Sequence, residues 1–288
     1  MSAPLDWASD GADWPHRIAS RFVKAGGIDW HVQEMGAGKT ILLLHGTGAS
    51  THSWRDIAPL LAKTHRVIAL DLPGHAFTDS HRVRNRSLDA MGSAIALLLE
   101  EMDVEPDLLV GHSAGAAIAL QLVLAGHVDA PVVGFGPALS PFAGPAEFLF
   151  PALAKLLFVN PLVPRIFSGM TRFPGEADRF IRRATGSEID AAGRRLYARL
   201  LGNSAHCKGA LAMMADWDLA GLNRRLGEIG VPVLLVHGDR DRAVPMSAVR
   251  DACKALPDCR LEILTGLGHI AHEERPDLAA ELIESALQ

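Results

Sequence analysis

The sequence predicts an α/β fold, with a mostly parallel central sheet flanked by helices and a helical segment inserted into it. Three observations predict this. Short apolar runs of strand type alternate with helical periodicity along most of the 288 residues. Several of these runs end in glycine-bearing turns, the place where α/β sheets carry their chemistry. Between Leu139 and Leu222 the alternation stops and no strand pattern occurs.

The elements follow in order. Phe22 to Ala25 and Ile28 to Gln33 flank Gly26-Gly27, a hairpin signal. Ile41 to Leu44 is a buried strand, and Ser53, with Asp56 three residues on, reads as the N-cap of the helix that follows. Val67 to Leu70 is the next strand. Leu88, Met91, Ile95, Leu98, Leu99 and Met102 share one helical face. Leu108 to Val110 is a strand, Ala114 to Ala125 an alanine-rich helix, and Pro131 to Phe135 a further strand. After the interruption, Val231 to Val236 and Leu261 to Leu264 are strands, and a last helix opens at Pro276, a residue suited to a first turn. Residues 1–139 thus form the first part of a core, with 1–17 an N-terminal extension. Residues 140–222 form a helical cap, and 223–288 complete the core.

The most informative motif is Gly111-His112-Ser113-Ala114-Gly115. A strand precedes it and a helix follows, the context of a nucleophile elbow, in which the glycines relieve a turn that side chains would obstruct. Ser113 is the expected nucleophile, and a hydroxyl needs a base to take its proton. His269 follows a short strand on a loop with Gly266 and Gly268 and is the expected base. Asp241, in the loop after Val231 to Val236, is expected to hold that imidazole. Asp239 competes with Asp241, but it directly follows Gly238 and suits a turn cap better. His272, ahead of the last helix, competes with His269 and reads as a structural or rim residue. His112 is expected to give support from behind the nucleophile, while His45 and His237 end strands as hydrogen-bonded structural groups. The oxyanion of an acyl intermediate needs preorganised donors. The N–H of Ala114 supplies one, and Thr47, in His45-Gly46-Thr47-Gly48, is the best-placed source of the second.

These motifs resemble the α/β-hydrolase superfamily from about Ile18 to Leu287. Asp71-Leu72-Pro73-Gly74-His75 resembles that family's turn after its fourth strand, with Ala76 standing where glycine is frequent. A serine nucleophile separates the chain from dehalogenases and epoxide hydrolases that use aspartate. The segment after His45 lacks the three-glycine run of one lipase and esterase branch. A narrower resemblance rests on Asp10-Gly11-Ala12-Asp13-Trp14-Pro15, Ser20-Arg21-Phe22-Val23, Trp30-His31-Val32-Gln33 and His45 to Trp54. These segments resemble the magnesium-chelatase accessory proteins of bacteriochlorophyll biosynthesis, a family associated with photosynthesis. That resemblance implies a pathway and a possible chelatase partner, and supplies no substrate.

Composition narrows the field. With 49% hydrophobic residues the chain can bury the core of one large α/β domain. A net charge of −5 leaves no basic footprint for nucleic acid. Cys207, Cys253 and Cys259 make an odd count without ligand-like spacing, expected to be unpaired, packed thiols in a reducing compartment. The polar N-terminus carries no secretory signal, and no stretch is long and apolar enough for a transmembrane segment. The expected place is the cytoplasm, or the periphery of photosynthetic membranes.

The interrupted segment holds most of the phenylalanines, and a cap over a serine site forms the roof of its pocket. Phe142, Phe148 and Phe158 are the candidate substrate contacts, for an apolar acyl or large planar ligand such as a tetrapyrrole. Arg182, Arg183, Arg194, Arg195 and Arg199 are read as solvated helix faces. No cofactor and no metal ligand is implied. Two classes of function remain: a serine hydrolase of ester- or thioester-like substrates, and a non-catalytic protein that holds a porphyrin or assists the chelatase. A generic carboxylesterase is the third reading.

Overall fold

A computed structural model describes residues 3–79, 85–140, 160 and 162–287. Phe142, Phe148 and Phe158 lie outside the described residues. Eight strands form one sheet: β1 (Ser20–Ala25), β2 (Ile28–Met35), β3 (Thr40–Leu44), β4 (Arg66–Leu70), β5 (Leu108–His112), β6 (Val132–Phe135), β7 (Val233–Gly238) and β8 (Cys259–Leu264). Their spatial order is β1-β2-β4-β3-β5-β6-β7-β8. The first two make the hairpin that Gly26-Gly27 announces, β2 pairs antiparallel with β4, and every pairing from β4 onward is parallel.

The central strands have apolar side chains at every position because both faces are covered. Leu42, Leu44, Ile68, Leu70 and Leu109 point to one layer, with α2 (Leu88–Glu101) and α3 (Ala114–Leu124) packed over them. Ile41, Leu43, Val67, Ala69, Leu108 and Val110 point to the other, under α1 (Ala58–Leu61) and the closing helix Pro276–Ser285. The period-two alternation within β3 therefore divides one run of leucines and isoleucine between two cores.

Between β6 and β7 the described residues hold five α-helices, one 3-10 turn (Leu226–Glu228) and no strand: α4 (Val163–Thr171), α5 (Glu176–Thr185), α6 (Ala191–Leu201), α7 (Ser204–Asp216) and α8 (Leu219–Arg224). Met246–Ala255, Ala271–Glu274 and Pro276–Ser285 complete the set as α9, α10 and α11. The parallel strands all end at one edge of the sheet, which gathers the turns after β3, β5, β7 and β8.

The structure corrects three sequence expectations. Ser53 is not an N-cap. Ser50 caps the 3-10 turn Thr51–Trp54 by accepting from the His52 N–H, and Ser53 Oγ donates instead to Glu273 at 2.6 Å. Cys253 and Cys259 form a disulfide, because the end of α9 turns straight back into β8 and brings their Cα atoms to 5.4 Å. Cys207 alone is a free, buried thiol, and burial pushes its pKa up to about 12. Arg199 is no solvated face. It binds both carboxylate oxygens of Asp13, at 2.7 and 2.9 Å, and the Asp10 carbonyl. The N-terminal segment is thereby pinned to α6, with Trp7 and Trp14 packed against Phe77 at 4.8 and 4.9 Å.

Candidate active site

The elbow sits where β5 meets α3. Ser113 has φ 51° and ψ −111°, a conformation costly for a side chain-bearing residue and held here by its surroundings. Its N–H donates to the Phe135 carbonyl at 2.8 Å, and its own carbonyl accepts from the N–H groups of Ala116 and Ala138, each at 3.2 Å. A Cβ at Gly111 would lie 2.3 Å from the Ala116 nitrogen, and one at Gly115 would lie 2.0 Å from the Leu44 carbonyl oxygen. Only glycine lets strand, turn and helix approach this closely.

His269 and Asp241 meet beside the elbow. The imidazole Nδ1 donates to Asp241 Oδ2 at 2.7 Å. The other carboxylate oxygen accepts from the backbone N–H groups of Ala243, at 2.7 Å, and Val244, at 2.9 Å. The carboxylate therefore has a fixed plane, and its one free direction is taken by the histidine. Asp239 is occupied elsewhere, accepting from the Gly266 N–H at 2.7 Å. His237 points Nδ1 at the same Asp241 oxygen from 3.5 Å, but makes no hydrogen bond through that atom. Its hydrogen bond is instead to the backbone of Val244, which meets the expected structural role. His112, next to Ser113, donates through Nε2 to the His269 carbonyl at 3.1 Å. Gly136, one residue beyond the acceptor of the Ser113 N–H, approaches so closely that a Cβ there would lie 2.9 Å from His269 Nδ1. Ser113 and His269 are thus both joined to the end of β6, while no hydrogen bond links Ser113 Oγ to the imidazole.

The loop carrying His269 is held by groups that the sequence reading did not single out. The His269 N–H donates to the Thr185 carbonyl at 2.9 Å. Glu274 accepts from the Gly268 N–H and from Ser187 Oγ, both at 2.8 Å, while Ser187 Oγ accepts from the Ile270 N–H at 3.0 Å. Residues on both sides of the imidazole are thus anchored to the turn after α5. Nearby, Glu273 is buried and receives Ser53 Oγ and the Tyr197 hydroxyl at 2.6 Å each and Arg55 at 2.8 Å. His272 is no rim residue. It is buried, its Nε2 lies 2.9 Å from Ser53 Oγ, and burial pulls its pKa down to about 3.

The turn after β3 packs on the other side of the nucleophile. A Cβ at Gly46 would lie 3.2 Å from Ser113 Cβ, so Thr47 is one residue from that contact and Ala114 opens α3. Two imidazoles tie this turn to the segment after β4. His45 accepts from the Leu72 N–H at 2.9 Å and donates to the Gly46 carbonyl at 2.7 Å. His206, from α7, accepts from the Ala76 N–H at 3.0 Å and donates to the Gly48 carbonyl at 3.1 Å. Each must be neutral to do both. Burial lowers the pKa of each, that of His206 to about 4. Asp71 braces the same region, binding His31 Nδ1 and the Thr51 N–H at 2.7 Å each. Burial opposes its ionisation, yet His31 and these donors hold its carboxyl below the ordinary value. A signal for this brace was present in the chain, since histidines follow β3 and sit in the turn after β4, but nothing local pointed to His206.

Among the described residues no group of three or more histidine, cysteine or acidic side chains is placed to hold a metal ion. No helix among them is long and apolar enough to cross a membrane.

An elbow serine on a mostly parallel eight-stranded sheet, with an acid and a histidine on the turns after β7 and β8, defines the class. The chain belongs to the α/β hydrolase family, whose profile matches residues 41–282. More narrowly, it is 42% identical to the magnesium-chelatase 30 kDa subunit of Rhodobacter capsulatus, over 92% of this chain and 93% of that one. It is also 28% identical to a 2-hydroxy-6-oxononadienedioate/2-hydroxy-6-oxononatrienedioate hydrolase of Pseudomonas putida, over 94% and 96% of the two chains. Among solved structures it resembles a serine hydrolase involved in carbazole degradation, at 25% identity and a TM-score of 0.73, covering 93% of this chain and 98% of the other.

Proposed function

We propose that the protein is a cofactor-independent serine hydrolase that acts through an acyl-enzyme on an apolar ester- or thioester-like substrate, and that it serves magnesium chelatase in bacteriochlorophyll synthesis. The 2.7 Å hydrogen bond from His269 Nδ1 to Asp241 carries the chemical part of this reading. It leaves Nε2 of the neutral ring as the base. In the proposed reaction Nε2 takes the Ser113 proton as the hydroxyl attacks the substrate carbonyl, and Asp241 stabilises the imidazolium. The N–H groups of Thr47 and Ala114 receive the oxyanion. His269 then protonates the leaving group, and water repeats the sequence to release the acid. Phe142, Phe148 and Phe158 are proposed to contact the apolar part of the substrate, from a cap spanning residues 140–222.

The pathway part is supported by the identity to the chelatase subunit. The same likeness favours a second reading, a non-catalytic protein that holds a porphyrin or assists the chelatase. Two assays separate them. The hydrolase reading requires turnover of a short p-nitrophenyl ester by the wild type and its loss in Ser113→Ala. The binding reading requires protoporphyrin or its magnesium form to quench tryptophan fluorescence below about 100 μM, a bound worth some 5.5 kcal/mol, without such turnover. Turnover with no pigment binding and no effect on the chelatase would leave a generic carboxylesterase.

A further inference from the structure

Two helices between β6 and β7 expose an apolar stripe. At the N-cap of α4, within it and in the turn after it, Leu162, Ile166, Met170 and Phe173 are 52%, 59%, 60% and 67% exposed. Their spacing of four, four and three residues puts them on one face of a helix. Phe180 of α5 is also exposed and packs edge-on against Phe167 at 5.0 Å, which continues the apolar surface onto the next helix. The other large apolar side chains exposed among the described residues are Ile18, Phe22, Leu97, Met214 and Ile263, each on a different element. Isolated exposed apolar groups are ordinary on a protein surface, whereas a contiguous stripe marks a surface that meets something.

Charge decides between candidate occupants. Residues 162–186 carry five arginines and two carboxylates, a local excess of three positive charges in a chain of net −5. Arg179 and Arg182 pair with Glu176 and Asp178 on their own helix. No carboxylate among the described residues forms an ion pair with Arg165 or Arg183, and both are exposed. An apolar helical stripe edged by free arginines suits an anionic lipid surface: aliphatic and phenyl groups enter the acyl boundary while guanidinium groups meet headgroup phosphates. A second copy of this face would set the same positive charges against each other.

We propose that the α4–α5 face docks the protein on anionic bilayers, as a peripheral contact and not a span. The face adjoins the chemistry, since Thr185, the last residue of α5, accepts the His269 N–H at 2.9 Å. Docking there would bring the candidate site to the phase in which an apolar ester or tetrapyrrole concentrates. The surface itself does not depend on Ser113 being a nucleophile.

The test is flotation of the full chain with vesicles of phosphatidylcholine alone and of phosphatidylcholine with phosphatidylglycerol. The wild type is expected to float with the anionic vesicles, weakly with the neutral ones, and less as salt rises. Ile166→Asp is expected to weaken binding about tenfold, and Arg165→Glu or Arg183→Glu about fivefold each. Ile18→Asp, an exposed change elsewhere, is expected to leave it unchanged. Circular dichroism and soluble fluorophosphonate labelling, recorded on every variant, separate loss of docking from loss of fold or of the Ser113 chemistry. Absence of flotation, or flotation indifferent to Ile166→Asp, overturns the proposal. So does a concentration-dependent dimer in ultracentrifugation that Ile166→Asp dissolves, which would assign the face to a second copy.

Discussion

His206 donates through Nε2 to the carbonyl of Gly48 at 3.1 Å, linking α7 to the turn that follows β3. Its other nitrogen accepts from the Ala76 N–H, so one neutral ring holds the turn proposed to receive the oxyanion against the segment after β4. With His45 doing the same at Gly46, the carbonyls of this turn are tied back on both sides.

This arrangement predicts acid sensitivity. The His206 pKa lies at about 4 in the folded chain, against an ordinary imidazole value of 6.5. Because the folded value is depressed, the stabilisation is complete above pH 6.5 and is lost as pH falls toward 4. The loss from this residue alone is on the order of 3 kcal/mol at the lower end. Melting temperatures between pH 7.5 and 4.5 check it, and His206→Gln should make the profile shallower over that window, with the other buried histidines such as His45 and His272 keeping the remaining slope, while lowering stability at neutral pH.

The acid of the proposed triad is tested by two neutral substitutions. Asp241→Asn should reduce ester turnover by roughly three to four orders of magnitude, because the imidazole loses its fixed tautomer. Asp239→Asn keeps an oxygen for the Gly266 N–H and should remain near wild type. Steady-state kinetics on both folded variants decide the ranking.

Gly136 tests how closely the site is packed. Its φ is 49°, and an added Cβ would meet His269 Nδ1 and its carbonyl oxygen, each at 2.9 Å. Gly136→Ala should cost roughly 1–2 kcal/mol through the backbone alone. It should also lower kcat about a hundredfold by displacing the imidazole. The comparison is kcat against thermal stability in the same preparation.

The thiols give a direct chemical check. In denaturant without reductant, one thiol per chain should titrate, from Cys207, and three after reduction. Opening the Cys253–Cys259 pair should lower stability by about 2 kcal/mol for so short a loop.

What could be read from the chain was local. The strand runs, the Gly26-Gly27 hairpin, the elbow and the break between Leu139 and Leu222 depend on periodicity and turn chemistry within a few residues, and the α/β-hydrolase fold follows from them. The assignment of Asp239 to a turn also rested on its neighbour Gly238. The disulfide was hidden because a separation of six residues in sequence says nothing of how α9 turns into β8. Ser53 was misread because its true partner, Glu273, lies 220 residues away and competes with the local cap. His206 and Glu274 were invisible for the same reason: Gly48 and Ala76 lie 158 and 130 residues from His206, and Ser187 lies 87 residues from Glu274.

The central claim is that Ser113 is an activated nucleophile. Intact-mass measurement after exposure to a fluorophosphonate tests it without knowledge of the substrate. The account predicts one adduct per chain, located on Ser113, absent in Ser113→Ala and strongly slowed in His269→Ala. A folded wild-type protein that stays unmodified, or an adduct that persists in Ser113→Ala, would contradict it.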